Sequence, residues 1–105
     1  MDCVFCDIIA GKEPCTIRYE DDRIIVIDNI LRWVPVMLLA IPKKHMTQEE
    51  MWRDLSSISG IAVEMGKKHC PGGFRLVSNF GRDAMQSQMH AHLHILGGEF
   101  LGHYV

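Results

Sequence analysis

The 105-residue sequence has no apolar run long enough to span a bilayer; the stretch from Val34 to Ile41 falls far short of the ~20 residues a membrane helix needs. Basic blocks are equally scarce. Lysine and arginine never run beyond the pairs Lys43-Lys44 and Lys67-Lys68, and the formal net charge is -2, which argues against a nucleic-acid backbone as the main partner. No window holds enough glycine, serine or proline to read as a linker, so residues 1–105 are expected to form a single domain. The N-terminal region carries Asp2 and Asp7 where an export signal would carry positive charge, and a cytoplasmic protein without a membrane anchor is expected. In that setting the four cysteines are expected as free thiols or metal ligands rather than disulfides.

What is present reads as alternating short elements. Cys3 to Ala10, closed by Gly11, suits one or two helical turns. Arg18 to Glu20 and Arg23 to Asp28 flank Asp21-Asp22 as the arms of a β-hairpin. Pro35 to Ile41 is almost continuously apolar and stops at Pro42, as expected of a strand covered on both faces. Thr47 followed by Glu50 makes a capping box, and Met51, Leu55, Ile58, Ala62 and Met65 recur at helical spacing, predicting one long helix that ends near His69. Phe74 to Asn79 and Gln88 to Leu96 are expected as strands, separated by a loop over Gly81 to Met85. Strands, then a helix, then strands predict an α+β domain whose antiparallel sheet of about five strands is joined by one long and one short helix.

The last strand carries the chemistry. Side chains alternate along a strand, so His90, His92 and His94 share one face while Ala91, Leu93 and Ile95 share the other. A lone histidine on such a strand is most often an ordinary polar residue. Three at strict period two are a row of imidazoles, neutral near pH 7, suited to act as nucleophiles, proton carriers or metal ligands.

The segment His90 to Leu96 resembles the signature of the histidine triad (HIT) family. The likeness extends to Phe5–Gly11, the hairpin at Asp21-Asp22-Arg23, Ile41-Pro42-Lys43-Lys44-His45, Asn79 with Gly81, Gln86-Ser87 and Gly97-Gly98. It implies the HIT-like fold and a homodimeric hydrolase or nucleotidyl transferase acting at the α-phosphate of a purine nucleotide or nucleotide conjugate such as a nucleoside phosphoramidate. Carried over, His92 is the nucleophile, with His90 and His94 beside it in the catalytic set. Charge develops on the phosphoryl oxygens during transfer, and His94, Ser87 and the backbone after Gln86 would supply donors to it. Ser87 would also help protonate the leaving group, although a loop serine bonded only to backbone is an equal alternative. Asn79 would hold the ribose or a phosphate oxygen, or else simply end its strand in an Asx turn.

Cys3 and Cys6 form a C-x-x-C pair, which on a helical turn aims two thiolates at one point. In some branches of the family the remaining ligands come from the histidine after the Ile-Pro-Lys loop and the first triad histidine. Here these would be His45 and His90, giving a closed, structural zinc site. Two unconnected thiols are the alternative, and a redox dithiol is disfavoured without a surrounding βαβ pattern.

The chain departs from the family at several places. The usual ribose-binding aspartate aligns with Asn29, which can bond a hydroxyl only without charge; Asp28, one residue away, would face the opposite side of the sheet. Met37 stands where a histidine is common, and Ala84 and Met85 where glycines are usual, so Met85 is expected to crowd the phosphate loop. His103 and Tyr104 occupy the place of a C-terminal tryptophan-proline segment found in one branch. These departures leave room for a second reading, a zinc-stabilised module that binds nucleotides without turning them over or serves as an adaptor. A third reading, in which all three triad histidines grip one ion, would require the strand to distort.

Overall fold

The computed structural model describes residues 3–103, so Tyr104 lies outside the described residues. Five strands form one antiparallel sheet in the order β1-β2-β3-β5-β4: β1 (Ile17–Glu20), β2 (Ile24–Asp28), β3 (Val36–Pro42), β4 (Phe74–Val77) and β5 (Leu93–Gly97). Among the described residues three α-helices accompany it: α1 (Val4–Ile9), α2 (Gln48–Arg53) and α3 (Ser59–His69). This is the expected α+β class with five strands. Among the described residues, no helix is long and apolar enough to cross a membrane.

The β1–β2 hairpin turns where Asp21 accepts from the amides of Arg23 (2.7 Å) and Ile24 (2.8 Å), the aspartate chemistry expected of the Asp21-Asp22 turn. Strands β2 and β3 are apolar on both sides because both sides of the sheet are covered. Ile24, Val26, Leu38 and Ala40 join Met51, Ile58, Ala62 and Met65 of the α2–α3 layer in one cluster. Ile25, Ile27, Leu39 and Ile41 join Cys3 and Phe5, at the start of the chain, in the other. The β3–β5 register pairs Leu39 with His94, so His94 stands on the second face, over the side that α1 covers.

Two expectations change in detail. The single long helix is two helices, broken at Asp54, whose backbone is extended (φ -149°, ψ 96°) and whose carboxylate accepts from the Ser56 amide at 3.1 Å. An aspartate that bonds the amide two residues on competes directly with the helical ladder. The apolar face survives the break: Met51, Ile58, Ala62 and Met65 are all core residues, and Leu55 packs against them.

The final strand begins not at Gln88 but at Leu93, paired with Ala40. Strand β3 ends in Pro42, which has no N–H to extend the ladder. The amide of Ala91 instead donates to the Met46 carbonyl (2.8 Å) and that of His92 to the Gln48 side chain (3.0 Å). Alternation nonetheless persists through 90–95, since Ala91, Leu93 and Ile95 all enter the first cluster. Beyond β5, Gly98 adopts φ +92°, and a Cβ there would stand 2.9 Å from Pro35, so glycine suits both the turn and the close approach.

Candidate active site and metal centre

The first turn of α1, the loop after β3 and the segment before β5 converge at one end of the sheet. Cys3 caps α1 and accepts from the Cys6 amide, which points both thiols the same way. Cys3 Sγ lies 3.4 Å and Cys6 Sγ 3.5 Å from Nδ1 of His90, and Cys6 Sγ lies 3.3 Å from Nδ1 of His45. All four ligand atoms fall within 4.8 Å of one another. Zinc with bonds of about 2.3 Å to sulfur and about 2.1 Å to nitrogen needs tetrahedral S···N edges of roughly 3.6 Å, close to these separations.

The protonation pattern also suits a cation. His90 Nε2 lies 2.7 Å from the Pro42 carbonyl, which can only accept, so Nε2 carries the hydrogen and Nδ1 offers its lone pair to the thiols. Burial, opposed by that carbonyl contact, holds His90 below the ordinary histidine range. The Cys6 thiol is pushed up, first by burial and then by its neighbour Cys3, a strain that a divalent ion held between them would relieve. Cys3, Cys6, His45 and His90 could therefore hold zinc. Cys15 and Cys70 are unpaired and stand outside the cluster.

His92 lies next to this centre. Its Nδ1 is 2.8 Å from the carbonyl of His90, which again only accepts, so the hydrogen sits on Nδ1 and Nε2 carries a free lone pair. Burial lowers its pKa and keeps the ring neutral at pH 7. His92 is 4% exposed, because Phe5 packs edge-on against it (centroids 5.2 Å apart) as well as against His90 (5.8 Å). The ring is not sealed, however. Among the described residues, only His69 Nε2 is both shut from solvent and without a partner, so His92 Nε2, which has no protein partner, reaches the surface.

His94 stacks edge-on with His92 at 5.2 Å, and burial followed by repulsion from His92 lowers its pKa to about 4. It too is neutral at pH 7. His90, in contrast, is 1% exposed and turns both nitrogens to the protein, leaving none for a substrate.

The remaining expected residues lie around this row. Asn29 follows β2 on the face of Ile25 and Ile27, and its amide donates to the Met37 carbonyl (2.8 Å). Its side-chain oxygen accepts from the Leu31 amide (3.0 Å), leaving its NH2 group without a protein partner. Asp28 does face the other side, gripped through both carboxylate oxygens by Arg18 at 2.8 Å. Asn79 is half-buried with an unpartnered side chain. Gln86 is committed to its own loop, accepting from the Gly81 amide (2.8 Å) and donating to the Gln88 carbonyl (3.0 Å). Ser87 is exposed, and its hydroxyl bonds nothing in the protein, histidines included. Met85 precedes them in the left-handed region at φ 59°.

Three residues of this neighbourhood carried no role in the sequence reading. Phe5 stood within the family-like N-terminal segment, but nothing local announces that it covers the imidazoles. Ser78 donates to the His92 carbonyl (3.2 Å), and Gln48 is 3% exposed. A polar residue at the first position of a helix ordinarily faces water, so only the tertiary fold reveals Gln48 as buried.

A five-stranded antiparallel sheet that sets a period-two histidine row beside a Cys₂His₂ cluster defines a histidine-triad type of protein. Sequence and structure comparisons agree. The family model described as "scavenger mRNA decapping enzyme C-term binding" matches residues 2–104. An uncharacterized HIT-like protein of Chlamydia muridarum is 37% identical over 108 residues, covering 97% of this chain and 86% of that protein. A HIT family hydrolase of Clostridium thermocellum is 37% identical with a TM-score of 0.88, over 99% of this chain and 96% of that one. A zinc-bound histidine triad family protein of Mycobacterium smegmatis is 25% identical with a TM-score of 0.76, over 97% of this chain and 78% of that one. The chain belongs to the histidine triad family.

Proposed function

We propose that this protein is a hydrolase of nucleotide conjugates, with a nucleoside phosphoramidate as the model substrate and His92 as nucleophile. The observation that carries the reading is the tautomer of His92: a buried, neutral ring with Nδ1–H tied to a carbonyl and an unshared pair at Nε2. In the first step Nε2 forms a bond to the α-phosphorus as the bond from phosphorus to the leaving amine breaks, and the amine departs with a proton. Water then attacks the same phosphorus, the N–P bond breaks, the proton released by the water restores the group that protonated the amine, and nucleoside monophosphate leaves with His92 neutral again.

Ser87, with its hydroxyl free, is the proposed proton donor to the leaving group. His94 and the backbone beside Gln86 are the proposed donors to the phosphoryl oxygens, and Gln86 supports them by holding its loop in shape. His94 is neutral in the empty site and contributes a hydrogen-bond donor; an anion placed against it would favour its charged form. Asn79 and the free NH2 of Asn29 are the proposed ribose and nucleotide contacts, with a purine as the base. Zinc, when bound by Cys3, Cys6, His45 and His90, would fasten the first turn of the chain to the segment bearing His92. We assign the working form to a homodimer in the cytoplasm.

A second reading is a nucleotide-binding module without turnover, and the small exposed fraction of His92 favours it. Turnover of adenosine phosphoramidate separates the two. The hydrolase reading expects release of adenosine monophosphate by the wild type and its loss in His92→Ala. Tight nucleotide binding with equal background release from both proteins would establish the module instead.

A further inference from the structure

We infer that Gln48 is a positioning residue that sets the distance between the nucleophile and the nucleotide-binding side of the site. The inference rests on the hydrolase reading, but its geometry is independent of it. The stretch His90 to His92 lies outside the β-ladder, because β3 ends in a proline that cannot extend the pairing. The buried amide of His92 therefore needs another partner, and the Gln48 side-chain oxygen supplies it at 3.0 Å. The other end of the same amide, Nε2, donates to the backbone carbonyl of Asn79 at 3.3 Å.

One side chain thus holds two segments that approach the site from different elements: the one bearing the proposed nucleophile and the one bearing a proposed nucleotide contact. Both of its functional atoms are used. A primary amide can accept from an N–H at its oxygen and donate to a carbonyl from its nitrogen. Gln48 opens α2, beside the reciprocal Thr47–Glu50 cap (2.9 and 3.1 Å). Gln48 does not touch the proposed reacting atoms; it acts through the backbones of His92 and Asn79.

The test compares Gln48→Met, which keeps length and burial but loses both hydrogen bonds, with Thr47→Ala, which weakens the α2 cap and leaves the Gln48 amide intact. The first readout is native-state hydrogen exchange of the His92 amide. Gln48→Met is expected to speed it by about 100-fold or more beyond any global destabilisation, whereas Thr47→Ala changes it only in step with global stability. The second readout is adenosine phosphoramidate kinetics. A misplacement of about 1 Å can cost on the order of 100-fold, so Gln48→Met is expected to lose about 10- to 100-fold in kcat and to raise KM, with Thr47→Ala near wild type at a temperature where both are folded. His92 amide protection unchanged in Gln48→Met, or kinetic losses equal in the two variants, would overturn the inference. If the wild type does not turn over the phosphoramidate, the hydrolase reading falls, and the exchange readout alone still decides whether Gln48 holds His92. Should Gln48→Met fail to fold, Gln48→Glu, which keeps the acceptor for His92 and loses the donor to Asn79, must retain His92 amide protection while raising KM for the same inference to stand.

Discussion

Chelation offers the sharpest test of whether the Cys₂His₂ cluster holds zinc. The four ligand atoms belong to the N-cap and first turn of α1, the loop after β3 and the segment before β5, so one ion would connect three stretches of chain. A ligand that binds only the folded state at a thousand times its dissociation constant stabilises it by about 4 kcal/mol. For a chain of this size each kcal/mol moves the melting temperature by roughly 4–8 °C, so a strong chelator is expected to lower it by about 15 °C or more. Catalysis should fall as well, because the carbonyl that sets the His92 tautomer belongs to His90, itself a ligand in this set. The assay is calorimetry with and without chelator, alongside metal analysis of the purified protein. One zinc per chain, a chelator-sensitive melting temperature and loss of both in Cys6→Ser are expected. A melting temperature indifferent to chelator in protein that carries no metal would rule out a structural zinc at this cluster.

Two other perturbations follow from local geometry. Met85 sits at φ 59°, where a residue with a Cβ loses about 1–2 kcal/mol; after the added freedom of glycine in the unfolded chain, Met85→Gly is expected to stabilise by about 0.5–1 kcal/mol in denaturant titration, and a destabilised variant would show that its side chain makes compensating contacts. His94 has a folded-state pKa lowered from 6.5 to about 4, so the unfolded chain binds its proton first. Its contribution is therefore fully present above pH 6.5 and is lost as the pH falls toward 4, at most about 3 kcal/mol and nearer 1–2 after screening of a partly exposed ring. His94→Asn should flatten that part of the stability–pH curve, and parallel curves for the two proteins would contradict the assignment.

The sheet and its histidine row were legible because they rest on local patterns. Ala91, Leu93 and Ile95 are core residues, and that alone puts the intervening histidines on the other face. The hairpin was legible through Asp21, whose carboxylate accepts from two amides of the turn. The helix break at Asp54 was hidden because the turn inserted there leaves Met51, Ile58, Ala62 and Met65 in the core, and periodicity reports burial rather than continuity. The late start of β5 depends on what Pro42, on another strand, cannot donate. Gln48 and Phe5 were invisible as site residues for a related reason: each acquires its role from partners far along the chain, and neither sits in a pattern of its own. The metal ligands fall between these cases. The Cys3–Cys6 spacing is local, but the meeting with His45 and His90 is tertiary and came only through family resemblance.

Attack of His92 Nε2 on phosphorus is checked most directly by intact-mass analysis of protein quenched early in reaction with adenosine phosphoramidate. A transient adenylyl adduct that maps to His92 is expected, with no adduct in His92→Ala and turnover there reduced by about 1,000-fold or more. An adduct on another residue, or undiminished turnover in that variant, would contradict it.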